Sequence, residues 1–221
     1  MKHKIVLSWS GGKDCAFALH KLRNEAHYEV CALLTSINKQ NNEVSMHGIP
    51  VELLRKQAAS LGIRLDLVQL PENPANTEYE ALMDQQLKAY KQEGIQHVAF
   101  GDLFLEDIKQ YRISQMKKAG MQAIFPVWGM DTGSFAKSFI EEGFRTIVSC
   151  IDNTQLDPAF TGREYDHDFL ADLPENADPC GENGEFHTFV YDGPVFKQPL
   201  AFNKGKISLR NNRFHYLGIT A

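Results

Sequence analysis

The stretch Ser8-Trp9-Ser10-Gly11-Gly12-Lys13-Asp14-Cys15 joins a short apolar run, Ile5 to Leu7, to a segment of helical period. Its residue types suit the binding of a polyphosphate. A strand leading into a helix presents free N–H groups and the positive end of the helix dipole to an anion. Gly11 and Gly12 let the backbone approach closely, Ser10 offers a hydroxyl donor and Lys13 adds a mobile cation. Asp14 serves either to orient the loop or to help hold Mg²⁺ against phosphates. Adjacent glycines followed at once by lysine fit neither the G-x-x-x-x-G-K-[ST] loop nor the G-x-G-x-x-G turn. The bland alternative is a tight Gly-Gly turn with no ligand.

Two further clusters carry chemistry. Gly101-Asp102 closes a second apolar run, and Asp102 and Glu106 would flank the same crevice if that strand is central. Glu106 and Asp107 also suit an acidic first helical turn, which complements the dipole. Densest is Asp178 to Thr188, which gathers Glu182, Glu185, His187, Asn183 and Cys180 around Gly181 and Gly184. Glu182 and Glu185 are placed to bind Mg²⁺ or an amine, and His187 to move protons near neutral pH. Cys180 and His187 lack two further ligands at a recognised spacing, so zinc is disfavoured.

These loops need a frame that converges them. Up to about residue 150, apolar strand candidates alternate with helical stretches, the pattern of a parallel sheet covered on both faces. The candidates are Lys4 to Trp9, Val30 to Ile37, Leu65 to Leu70, His97 to Gly101, Gln122 to Phe125 and Arg145 to Cys150. Cys15, Leu19, Leu22 and Ala26, and later Tyr79, Met83, Leu87 and Tyr90, recur at helical spacing. Beyond Ile151 the chain is rich in proline, glycine and carboxylates and reads as functional loop. Short antiparallel strands are expected at Phe189 to Tyr191, Phe196 to Phe202, Lys206 to Leu209 and Phe214 to Gly218, with turns at Asp192-Gly193 and Asn203-Lys204-Gly205. Phe125-Pro126-Val127-Trp128 marks the junction, giving a nucleotide-type lobe over 1–126 and a smaller mixed lobe over 127–221, which the resemblance described below makes the substrate side.

Composition bounds the reading. The 221 residues are 43% hydrophobic and 23% charged, which suits a folded chain and not a disordered one. A net charge of −5 argues against an extensive nucleic-acid face. No apolar run approaches the roughly 20 residues that span a bilayer, and Met1-Lys2-His3-Lys4 opens no export signal. The scattered Cys15, Cys31, Cys150 and Cys180 form no C-x-x-C pair or disulfide scaffold, which fits a reducing cytoplasm.

Ser10-Gly11-Gly12-Lys13-Asp14 followed by a small residue resembles the PP-loop of N-type ATP pyrophosphatases, which split ATP between the α and β phosphates. That family's usual serine after the aspartate is Cys15 here, which removes one hydroxyl donor. Together with His97-Val98-Ala99-Phe100-Gly101-Asp102, Tyr111-Arg112, Phe125-Pro126-Val127-Trp128 and Gly181-Glu182-Asn183-Gly184-Glu185-Phe186-His187-Thr188, the chain resembles the diphthine-ammonia ligase family. His47 before Gly48-Ile49-Pro50 also fits. The resemblance implies a Rossmann-like α/β fold, adenine nucleotide alpha hydrolase-like, whose parallel sheet has helices on both faces, plus a smaller C-terminal mixed α+β lobe. It implies ATP and Mg²⁺ as cofactors, with Ser8, Ser10, Gly11, Gly12, Lys13, Asp14, Gly101 and Asp102 binding the nucleotide and Asp14 and Asp102 near the metal. Lys13, Asp14, Glu182, Glu185 and His187 are the implied catalytic group. A substrate carboxylate would attack the α-phosphate, and ammonia would then displace AMP to leave an amide.

The implied partners are ATP, ammonia and a carboxylate, either on a translation elongation factor or on a metabolite; the sequence leaves the oligomeric state open, with a homodimer among the options. Adenylation of a tRNA base fits less well, because such enzymes commonly pair cysteines and carry a basic RNA face. A nucleotide-sensing module without turnover would have no need of the Cys180 to Thr188 cluster.

Overall fold

The computed structural model describes residues 2–71 and 75–221; Met1, where the N-terminal reading above begins, lies outside them. The first sheet is built from β1 (His3–Ser8), α1 (Lys13–Asn24), β2 (Tyr28–Asn38), β3 (Glu43–Val44), α2 (Val51–Leu61), β4 (Arg64–Leu70), α3 (Asn76–Gln92), β5 (His97–Ala99), α4 (Glu106–Lys118) and β6 (Gln122–Ile124). Its parallel strands lie in the order β4-β2-β1-β5-β6, with β3 antiparallel beside the carboxyl end of β2. The chain leaves β1 toward β2 on one side and reaches β5 on the other, so the strand order reverses between β1 and β5. Ligands of open parallel sheets sit at the carboxyl ends of strands at such a point.

Pleat alternation puts Ile5 and Leu7 on one face and Val6 on the other. Ile5 and Leu7 pack with Phe17, Leu19 and Leu22 of α1 and Leu53 and Leu54 of α2. Val6 packs with Leu87 and Tyr90 of α3 and Met116 of α4. Helices thus cover both faces. The α1 stripe Cys15, Leu19, Leu22 is buried as the period predicts, whereas Ala26 lies beyond the helix and is exposed.

The second sheet follows α5 (Thr132–Glu141). It comprises β7 (Arg145–Asp152), then, after α6 (His167–Asp172), β8 (Phe186–Asp192), β9 (Asn203–Arg210) and β10 (Phe214–Thr220), in the antiparallel order β8-β7-β10-β9. Three expectations are corrected here. Arg145 to Cys150 does not extend the parallel pattern; a run buried on both faces reads alike in either sheet. Phe196 to Phe202 is a loop, because Pro194 and Pro199 donate no ladder hydrogen bonds, and it docks on α2 through Lys197 N to Ser60 O and Ser60 Oγ to Gln198 O. Asn203-Lys204-Gly205 opens β9; the hairpin turns instead at Asn211 and Asn212, whose φ of 53° and 51° are the left-handed pair of a two-residue turn.

Candidate active site

The two sheets meet at the loop between β1 and α1. Strand β8 runs alongside it: Val190 N donates to Gly11 O at 3.0 Å, and Lys13 N donates to Thr188 Oγ1 at 3.0 Å. Gln57 of α2, fully buried, forks between them, giving Nε2 to Gly11 O at 3.0 Å and to Val190 O at 2.7 Å while its Oε1 accepts from the Trp9 indole at 2.8 Å. Thr35 Oγ1 anchors Trp9 O. Residue type matters at two glycines. Gly11 has φ +85°, and a Cβ there would lie 2.9 Å from Gln57 Oε1; a Cβ on Gly101 would lie 2.9 Å from the backbone carbon of Asp14.

The loop floors a crevice of about 430 Å³ that gathers Ser8, Ser10, Lys13, Asp14, Gly101 and Asp102 from the first sheet. Glu182 and His187 enter it from the second, with His47 from the turn after β3. Lys13 is buried, and its Nζ lies 2.9 and 3.1 Å from the two Asp14 oxygens. Burial works against its charge, yet Asp14, with Glu182 beyond, holds the ammonium well above the ordinary lysine range. Burial pushes the Asp14 carboxyl up while Lys13 pulls against it. Burial and then Asp14 push Glu182 up to about 8, again opposed by Lys13.

Both imidazoles are kept neutral. Burial brings His47 down to about 4, with Lys13 adding to the effect and the Thr188 carbonyl opposing it. Burial, His47 and Lys13 together hold His187 well below the usual range. The two rings lie 4.6 Å apart between centroids.

Glu185 is placed differently from its neighbours. Its buried carboxylate accepts from Asp178 N at 2.9 Å, Asn183 N at 3.0 Å and Asn183 Nδ2 at 3.1 Å, so it closes its own loop and is absent from the crevice wall. Asp102 lines the crevice but is engaged by Arg112 at 3.3 Å. Glu106 is exposed on the first turn of α4, bonded to Gln110. Sequence reading missed Gln57, although a polar residue between Leu53 and Leu61 on a buried stripe is a signal of an inward hydrogen-bonding role.

Next to the crevice, and sharing Ser8, Leu34, Ser36 and Arg112 with it, is an apolar recess of about 220 Å³ between α3 and α4, walled by Val98 and Phe100. Among the described residues, no group of three or more His, Cys, Asp or Glu side chains is arranged to hold a metal by itself. No described helix is long and apolar enough to cross a membrane.

Comparison with known proteins identifies two family domains along the chain. Residues 2–123 match the diphthamide synthase N-terminal domain and residues 131–219 the diphthamide synthase C-terminal domain. The chain is 22% identical over 232 residues to the human diphthine–ammonia ligase, covering 94% of this chain and 86% of that protein. It is 23% identical over 136 residues to the bovine diphthine–ammonia ligase, covering 59% of this chain and 51% of that one. A solved structure described as a predicted subunit of tRNA methyltransferase from Methanocaldococcus jannaschii aligns with TM-score 0.43 and 17% identity, over 65% of this chain and 77% of that one. With the two family domains together spanning most of its length, the chain belongs to the diphthamide synthase family.

Proposed function

We propose that this protein is an ATP-dependent amide-forming ligase that adenylates a substrate carboxylate and transfers ammonia to it, with diphthine on a translation elongation factor as the acid. The observation that carries the reading is the Lys13 N to Thr188 Oγ1 bond, which ties an anion-binding loop to the acidic, imidazole-bearing loop of the second sheet. Relatives named diphthine–ammonia ligase support the substrate assignment. In this reading residues 1–126 bind the nucleotide, 127–221 face the acid, and the enzyme works in the cytoplasm.

The adenine would occupy the apolar recess beside Phe100, leaving the phosphates over Ser10 and Lys13, while Gly11 and Gly12, absent from the crevice wall, shape the turn behind them. A carboxylate oxygen attacks the α-phosphorus, the bond to the β-phosphate oxygen breaks, and the buried Lys13 ammonium stabilises charge on the departing pyrophosphate. An adenylate then leaves as AMP where oxide could not. Asp14 Oδ1 is buried and has no partner in hydrogen-bond geometry, although Lys13 Nζ lies 2.9 Å away. It suits one bond to Mg²⁺, which commonly takes one or two carboxylates plus phosphate oxygens and would supply charge neutralisation. Asp102, already paired with Arg112, would be the second.

The test is incubation with Mg-ATP, ammonium and elongation factor bearing diphthine, with the nucleotide product identified. AMP and pyrophosphate formed together with the amide support the reading; ADP and phosphate overturn it.

A further inference from the structure

The nitrogen nucleophile of such a ligase needs a site of its own, beside the phosphate cradle yet unattractive to phosphate. His47 and His187 meet that description. His47 comes from the turn after β3, held by Ser149 Oγ donating to His47 O at 2.9 Å, and His187 from β8. Both line the crevice, and their rings are 4.6 Å apart. A backbone carbonyl only accepts, so the 3.3 Å contact between His47 Nδ1 and Thr188 O places the ring's proton on Nδ1. Nε2 of His47 is then a bare lone pair. The carbon between the two ring nitrogens lies against Gly12, where an added Cβ would be 3.0 Å from it, so the acceptor is at the mouth of the loop. His187 is a ladder residue of β8, but among the described residues no hydrogen bond engages its ring; a neutral imidazole there adds a second lone pair, together with one N–H.

A neutral pair beside the Lys13 cation discriminates three ways. Phosphate oxygens find no donor on His47 Nε2. Ammonium is opposed by Lys13. Ammonia, which carries N–H donors and no charge, satisfies both lone pairs. We propose that His47 and His187 form the ammonia subsite, accepting N–H hydrogen bonds so that the nitrogen lone pair faces the acyl carbon. This rests on the ligase reading above. The C–N bond forms as the bond from the acyl carbon to the AMP oxygen breaks, AMP takes that electron pair, and the surplus proton on nitrogen passes to His47 Nε2 and out to solvent.

The test separates two half-reactions in the same assay. Diphthine-dependent ATP–pyrophosphate exchange reports adenylation and requires no nitrogen, whereas amide formation against ammonium concentration reports the subsite. His187→Phe keeps the ring stack and removes the acceptors. It should raise the ammonium KM about tenfold or more, the loss of one buried hydrogen bond, a larger change than any fall in exchange. His187→Asn, which restores an acceptor, should recover part of that loss. Should His187→Phe fail to fold, His187→Ala carries the same expectation. An unchanged ammonium KM overturns the subsite, as does an equal fall in exchange and amide formation. Absence of exchange in the unaltered enzyme overturns the ligase reading instead.

Discussion

The backbone amide of Lys13 donates to the hydroxyl of Thr188 at 3.0 Å, across 175 residues of sequence, in a buried position. The hydroxyl fills a helix N-cap that Gly12 leaves without a side chain. Thr188→Val keeps the shape and strands a buried N–H, which costs about 1–3 kcal/mol. We expect a lower urea midpoint and weaker nucleotide binding, both measurable by titration; an unchanged midpoint would show that water replaces the hydroxyl.

Gly101→Ala tests the fit of β5 against the start of α1. Its Cβ would meet backbone atoms of Asp14 and Cys15 at 2.9–3.0 Å, and backbone cannot swing aside as a flexible side chain does. We expect about 1–3 kcal/mol of destabilisation and a loop displaced from its phosphate-binding geometry. Thermal unfolding and nucleotide titration check the two parts.

Glu182 gives stability a pH dependence of definite sign. Its carboxyl titrates near 8 in the folded chain and near 4.3 when unfolded, so between these values the folded state holds the proton and the unfolded state does not. Stability therefore falls as pH rises through that window. Glu182→Gln removes this contribution. Urea midpoints at pH 5 and pH 8.5 should lie closer together in the variant than in the parent.

Asp152 runs the opposite way. Hydrogen bonds from Arg213, opposed by burial and aided by Thr154 and Gln155, hold its carboxyl well below the usual range. Its stabilisation is complete above about pH 5, where an unfolded aspartate is almost fully ionised, and is lost as pH falls below that. Arg213→Ala should lower stability at pH 7, because it removes the guanidinium that holds the carboxyl ionised. The difference from the parent should shrink in acid.

Glu185→Ala should release the amides of Asp178 and Asn183, which now donate to its carboxylate. Hydrogen exchange at those two positions should quicken while exchange in β1 stays slow. Slow exchange at both would refute the loop-closing role.

Much of this architecture is legible in the sequence. The β1 to α1 turn carries its chemistry within eight consecutive residues, and the alternation of apolar runs with helical period is a local signal. Other parts depend on contacts that no local pattern encodes. The two-residue β3 and the turn presenting His47 are too short for periodicity. Glu182 and Glu185 look alike three residues apart, and only the tertiary placement turns one into the crevice and the other into its own loop. The sheet membership of β7 follows from which strands flank it, since its eight residues are buried almost throughout.

One bond gives the molecule an optical reporter. The protein has two tryptophans, and Trp9 is buried with its indole N–H on the amide that braces Gly11. With Trp128 replaced by phenylalanine, emission from the remaining indole should register any shift of that brace, so nucleotide loading could be followed by fluorescence without attaching a dye.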